Sequence, residues 1–243
     1  MKLLIVRHGE PDYEHDSLTE KGWREAELLA DRLCRLNIRA FYVSPLGRAQ
    51  ATARPTLERL GRKAEVLDWL HEFRGKMLDP VTGEERIAWD LMPGDWKKCP
   101  ELFDREKWRA SALYQTGNSG DVYDKTAAGV DALLARHGYV REGDIYRSDA
   151  PNTDTIVLFC HLALGMTILS HLQGISPVVL WHNFFMPTSS VTTLVTEERR
   201  PNEISFRCLQ VGDTSHLYAG NEPVSHAGFF RETYALEDGK EAQ

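Results

Sequence analysis

One design appears twice in this chain: a short apolar run stops at a histidine and gives way to a helical pattern. "KLLIVRHG" occupies residues 2–9 and "TIVLFCHLALG" residues 155–165. Runs of this length, apolar on both sides, read as strands buried on both faces of a sheet. After the first comes "LTEKGWREAELLADRLCRL", with Trp23, Ala26, Leu29, Ala30, Leu33 and Leu36 on one helical stripe and Thr19 placed to cap it. "RAFYVSP" gives a second strand and "LGRAQATARPTLERLG" a second helix ending at Gly61, with a kink expected at Pro55 because proline removes a backbone donor. "AEVLDWL" reads as a third strand. Strands alternating with helices imply a three-layer α/β fold, a mostly parallel sheet with helices on both faces. Ligands of such sheets bind beyond the carboxyl ends of the strands. Arg7 and His8, the segment from Ser44 to Arg48, and His161 all lie at ends of that kind.

The regularity stops between residues 75 and 120, which hold Trp89, Trp96 and Trp108 and no strand pattern. We read a helical or irregular insertion there, lying over the site as a cap. A helix returns in "DVYDKTAAGVDALLARHG". "SSVTTLVTEE" and "NEISFRCLQ" then read as two strands joined by the turn-prone "RRPNE". Residues 237–243, "EDGKEAQ", form a polar tail. The 243 residues, 42% apolar and 27% charged, suit one domain with a sizeable core.

The formal charge of -7 argues against a nucleic-acid partner, since phosphate-backbone binding concentrates Lys and Arg. No apolar stretch approaches the roughly 20 residues that span a bilayer, and the start of the chain lacks a signal-type apolar region, so no membrane partner is expected. Cys34, Cys99, Cys160 and Cys208 form no CxxC pair and read as free thiols of a reducing compartment, the cytoplasm.

If the strand ends are neighbours, Arg7, His8, Arg48 and His161 converge, with Glu72 shortly after the third strand. Two forked guanidiniums suit a tetrahedral oxyanion, and each charge-assisted bond contributes about 1.5 to 3 kcal/mol. A small phosphorylated substrate follows. The remaining histidines show no HExxH spacing and no cysteine partners, so neither a metal nor a cofactor is expected.

The ordered set "RHGE" (7–10), "DSLTEKG" (16–22), "SPLGRAQATA" (44–53), "LHEFRG" (70–75) and "FCHLALG" (159–165) resembles the histidine phosphatase superfamily, also called the phosphoglycerate mutase-like family. The resemblance implies that His8 is the nucleophile and becomes phosphohistidine. It makes Glu72 the proton donor to the leaving group, and assigns Arg7, Arg48 and a protonated His161 to the phosphoryl oxygens. Glu72 would need a raised pKa, which we assign to the bound phosphate dianion. His71 and Arg74 beside the acid, and His216 in "GDTSHL", are further pocket candidates. Three positions depart from the family pattern. Glu14 stands where many members carry an amide that helps bind phosphate; it must turn away or pair with a cation. Leu162 replaces a common glycine after the second histidine, and Cys160 a common serine.

The resemblance leaves the acceptor open. Mutases of this family carry extra basic residues around the acid, whereas "HEFRGKMLDP" offers only Arg74 and Lys76. Water is therefore the expected acceptor and a phosphomonoester phosphatase the expected activity. Phosphoglycerate mutase-type transfer, or a non-catalytic module that binds phosphorylated ligands, are the alternatives. The chain alone does not fix an oligomeric state.

Overall fold

A computed structural model describes residues 1–230, 232 and 233; the tail at 237–243 lies outside them. The chain opens with β1 (Lys2–Arg7), a short ribbon of β2 (Pro11–Asp12) and β3 (Ser17–Leu18), and α1 (Glu20–Leu33). Thr19 caps α1 as its spacing predicts, its hydroxyl accepting from the Gly22 amide at 3.1 Å. Next come β4 (Ala40–Val43), α2 (Gly47–Leu60) and β5 (Glu65–Val66). α2 runs on through Pro55 and ends at Gly61, whose φ of 59° is the left-handed cap a glycine adopts freely. The third strand is shorter than expected: only Glu65 and Val66 pair with β4, and Asp68–Leu70 turns into a 3₁₀ segment.

The region from 75 to 120 is irregular but contains a hairpin that the sequence reading missed, β6 (Lys76–Leu78) with β7 (Glu85–Ile87), followed by the single-turn α3 (Pro93–Trp96) and three 3₁₀ turns. Then follow α4 (Ser119–Arg136), a second missed hairpin of β8 (Val140–Glu142) and β9 (Ile145–Arg147), β10 (Thr155–Cys160), α5 (Leu162–Gln173) and α6 (Pro177–Asn183). Strands β11 (Val191–Arg200) and β12 (Glu203–Asp213), predicted from sequence, form a long antiparallel pair before the short α7 (Ser215–Ala219).

The main sheet has eight strands in the order β5-β4-β10-β1-β11-β12-β9-β8. From β5 to β1 it is parallel; from β1 outward every pairing is antiparallel. The expected parallel sheet is therefore the half that carries the candidate site. Alternation along the central strands splits the core in two. Leu3, Ile5, Ile156 and Leu158 face the cluster built with α4, α5, α6 and the insertion. Leu4, Val6, Val157 and Phe159 face α1 and α2.

The tryptophans of the insertion are core residues. Trp96 and Trp108 are fully buried, and Trp89 packs against the same cluster. Trp108 meets Tyr114 and Trp181 edge-on, and Phe73 lies 4.7 Å from the Trp181 ring. These aromatics fasten the insertion to α5 and α6. Among the described residues no helix is long and apolar enough to cross a membrane, and no group of three or more His, Cys, Asp or Glu is arranged to hold a metal ion.

Candidate active site

Register brings the two histidines together. Arg7 of β1 pairs with Cys160 of β10, the His8 amide donates to the Cys160 carbonyl at 3.0 Å, and the next residue on each chain carries an imidazole. The His8 and His161 rings lie 5.2 Å apart, inclined by 59°. The Ser44 amide extends the ladder to the Phe159 carbonyl at 2.9 Å, so β4 delivers Ser44 to the same level. On the opposite side the Ser189 amide donates to the His8 carbonyl and the Arg7 amide to the Ser190 carbonyl. All of these residues are buried.

Hydrogen bonds fix the tautomers. His8 Nδ1 lies 2.7 Å from the Gly9 carbonyl, which only accepts, so Nδ1 carries the proton and Nε2 the lone pair. Burial, with the charges of Arg7 and Arg48, pulls the His8 pKa down to about 3. Ser44 Oγ accepts from the Leu46 amide and lies 2.8 Å from His161 Nε2. Ser44 Oγ can donate its proton to Nε2, and in that tautomer Nδ1–H of His161 is a buried donor without a partner. Burial, followed by the charges of His8 and Arg48, draws His161 well below the ordinary imidazole range. Without a bound anion, burial therefore favours the neutral form of His161.

Arg7 and Arg48 are both held by other groups. Arg7 donates from Nη1 to the Met186 carbonyl at 2.7 Å and from Nη2 to the Ala227 carbonyl at 3.3 Å, with the Phe185 ring 5.3 Å from its guanidinium carbon. Arg48, in the first turn of α2, donates from Nη1 to Asp16 Oδ1 at 2.8 Å, and the Tyr13 ring lies 5.5 Å from its guanidinium carbon. On these four side chains, Arg7, His8, Arg48 and His161, three buried nitrogens have no partner: Nε of Arg7, Nε of Arg48 and Nδ1 of His161. Buried donors are nearly always paired, so three orphans in one cluster mark a place built for an anion.

Glu72 stands at the N-terminus of α5. Its Oε1 accepts from the Phe73 amide at 2.8 Å and the Leu164 amide at 3.0 Å. Burial raises its pKa; the two amides and Arg7 oppose that rise without cancelling it. The shift that the sequence reading assigned to bound phosphate is therefore present in the protein itself.

The other candidates separate. His71 donates from Nδ1 to the Glu72 carbonyl and lies close enough to His161 to bear on its ionisation. Arg74 is exposed. His216, on α7, is buried 3.1 Å from Ser189 Oγ and so lies behind the His8 loop, one residue removed from the nitrogens that meet in the cluster. Glu14 is exposed, and the carboxylate on Arg48 is that of Asp16. Sequence reasoning missed Asp16, the tautomer-setting Ser44 hydroxyl and the buried Glu25, which accepts from the Glu10 amide at 2.9 Å. Ser44 and Asp16 both fall inside quoted motif segments, which was the signal available for them.

The family model for the histidine phosphatase superfamily (branch 1) matches residues 3–208. Phosphoserine phosphatase 1 of Hydrogenobacter thermophilus is 26% identical over 228 residues, 89% of this chain and 94% of that protein. A phosphoserine phosphatase variant of Entamoeba histolytica, solved with phosphoserine, superposes with a TM-score of 0.59 at 19% identity, covering 89% of this chain and 98% of that one. A mycobacterial glucosyl-3-phosphoglycerate phosphatase gives 0.58 at 20% identity, with 87% and 98% covered. With two imidazoles and two guanidiniums already seen to converge at one sheet edge, the match over residues 3–208 places this chain in the histidine phosphatase superfamily.

Proposed function

We propose that this protein is a phosphomonoester phosphatase acting on a small phosphorylated metabolite through a phosphohistidine on His8. The observation that carries the reading is the three unpartnered donors, Arg7 Nε, Arg48 Nε and His161 Nδ1, gathered around an imidazole whose free nitrogen is Nε2. The phosphatase named for the Hydrogenobacter thermophilus relative supports it.

In the first half-reaction, His8 Nε2 attacks phosphorus, the bond to the leaving oxygen breaks, and that oxygen takes a proton from Glu72. A neutral imidazole is the competent nucleophile, and the depressed pKa of His8 keeps it neutral across the physiological range. Negative charge on the three equatorial oxygens meets the two guanidiniums and His161 Nδ1–H, fixed donors that need no reorganisation. With both amides on Glu72 Oε1, the proton belongs on Oε2. In the second half-reaction Glu72, now a carboxylate, removes a proton from water as it attacks phosphohistidine, the N–P bond breaks, and inorganic phosphate leaves. Burial keeps the Glu72 pKa high enough to serve as acid and then base.

Brief exposure to p-nitrophenyl phosphate followed by alkaline quenching should leave acid-labile, base-stable phosphate on the protein, absent from His8→Ala. Phosphate that survives acid, or labelling that persists in His8→Ala, would overturn the reading.

A further inference from the structure

We propose that Asp16 is a positioning residue for phosphoryl transfer, holding the Arg48 guanidinium so that its Nε edge faces the transferred group. The proposal rests on the phosphatase reading above. Asp16 Oδ1 takes Arg48 Nη1 at 2.8 Å while Oδ2 takes the Gly47 amide at 2.6 Å, so one carboxylate is tied both to the helix end and to the side chain it steers.

The loop is built to bring it there. Asp16 has a φ of 45°, in the left-handed region that a residue with a side chain enters at a cost. A Cβ on Gly47 would lie 2.2 Å from the Asp16 carbonyl, so only glycine permits the approach. Tyr13, from the same loop, lies against Arg48 as well. A guanidinium offers two edges for forked bonding. With Nη1 engaged, the remaining edge is Nε with Nη2, and Nε is the buried atom without a partner.

A rival role would be simple competition, a carboxylate sitting where phosphate belongs. The two roles differ in sign. A competitor weakens substrate binding, so its removal lowers KM and leaves kcat unchanged or raised. A positioning carboxylate also repels the dianion slightly, but its removal lets Arg48 wander and lowers kcat.

Asp16→Asn can still accept from Gly47 and keep the loop, while its amide cannot serve Arg48 in the same way. Asp16→Ala loses both contacts. With p-nitrophenyl phosphate, both variants should lose about tenfold in kcat with KM unchanged or lower. Asp16→Asn placed in an Arg48→Ala background should cost nothing further, because the residue acts through Arg48. Thermal melting of each variant separates folding from function, and if Asp16→Ala fails to fold, Asp16→Asn decides. A kcat for Asp16→Asn within about twofold of wild type, or a loss that adds fully to that of Arg48→Ala, overturns the proposal. A wild-type protein that forms no phosphohistidine fails the phosphatase reading and takes this proposal with it, whereas an active wild type with an unimpaired Asp16→Asn sinks the Asp16 role alone.

Discussion

The hydroxyl of Thr188 donates to Oε1 of Glu25 at 2.8 Å, and both residues are fully buried. Because Glu25 Oε2 takes the Glu10 amide, this carboxylate joins the loop after His8 to the 187–190 segment that braces it from the other side. Glu25→Gln should be tolerated, since its oxygen can accept from Glu10 and the Thr188 hydroxyl can turn round to accept from the new amide. Glu25→Leu leaves two buried donors unpaired and should lower stability by about 2 to 4 kcal/mol in urea unfolding, with turnover lost in parallel. Equal behaviour of the two variants would show that shape and not hydrogen bonding matters at this position.

Glu72→Gln should reduce turnover of an alkyl phosphate by a factor of about 10² to 10⁴, and that of p-nitrophenyl phosphate much less in the first half-reaction, because nitrophenolate leaves without help. The pH dependence has a definite sign. Below its raised pKa Glu72 is protonated and cannot activate water, so kcat falls on the acid side; above it, alkyl substrates lose their proton donor. His8, with a pKa near 3, should add no limb between pH 5 and 8. An acid limb that survives in Glu72→Gln would assign it to another group.

Stability should also fall on acidification. His8, His161 and His216 all have folded pKa values below the unfolded value of about 6.5, through burial above all, with His216 held down to about 4. The unfolded chain therefore binds more protons than the folded one in the window from about pH 6.5 downward, and stability must drop through it. His216 contributes without touching the phosphoryl site. His216→Asn should flatten the dependence of Tm on pH between 4 and 6.5, and an unchanged slope would exclude it as a contributor.

Gly22 is pressed against the His8 loop: a Cβ there would lie 2.2 Å from the Glu10 carbonyl. Gly22→Ala must displace Glu10, whose amide and carboxylate also bind Glu25, Thr19 and Ser225. A stability loss of about 1 to 3 kcal/mol is expected, with a fall in kcat larger than any change in melting accounts for.

Trp108→Ala should cost about 3 to 5 kcal/mol, since the ring is fully enclosed by Tyr114, Tyr123 and Trp181. Denaturant unfolding reads the loss, and kinetics of the folded fraction should hardly change.

The central strands and both histidines were legible because a fully apolar run has few fates, and a charged residue at its end has few reasons to be there. The candidate site was legible as a set of residue types: the His8 and His161 rings lie 5.2 Å apart, and both feel the charges of Arg7 and Arg48. The lowering of the His161 pKa was not, because it comes from burial that no local pattern reveals. The role of Asp16 stayed hidden within its motif for a similar reason. Its partner lies thirty-two positions away, and its neighbour Glu14, at the position the family pattern singles out, is exposed. The two missed hairpins fail differently: three-residue strands such as "KML" and "IYR" carry too few alternations to stand above irregular chain. The packing of the insertion's tryptophans was not legible, because a large aromatic reads equally as lining or as filling.

The place of β1 in the sheet bears on how the enzyme comes into being. The strand is flanked by β10 on one side and β11 on the other, so it finds its first lateral partner only once residues 155–160 have been made and its second only once residues 191–200 have. Until then the His8 loop has nothing to set its register, and the apolar segment "LLIV" waits unpaired. Assembly of the sheet edge that carries His8 therefore waits on pairing partners far along the polypeptide.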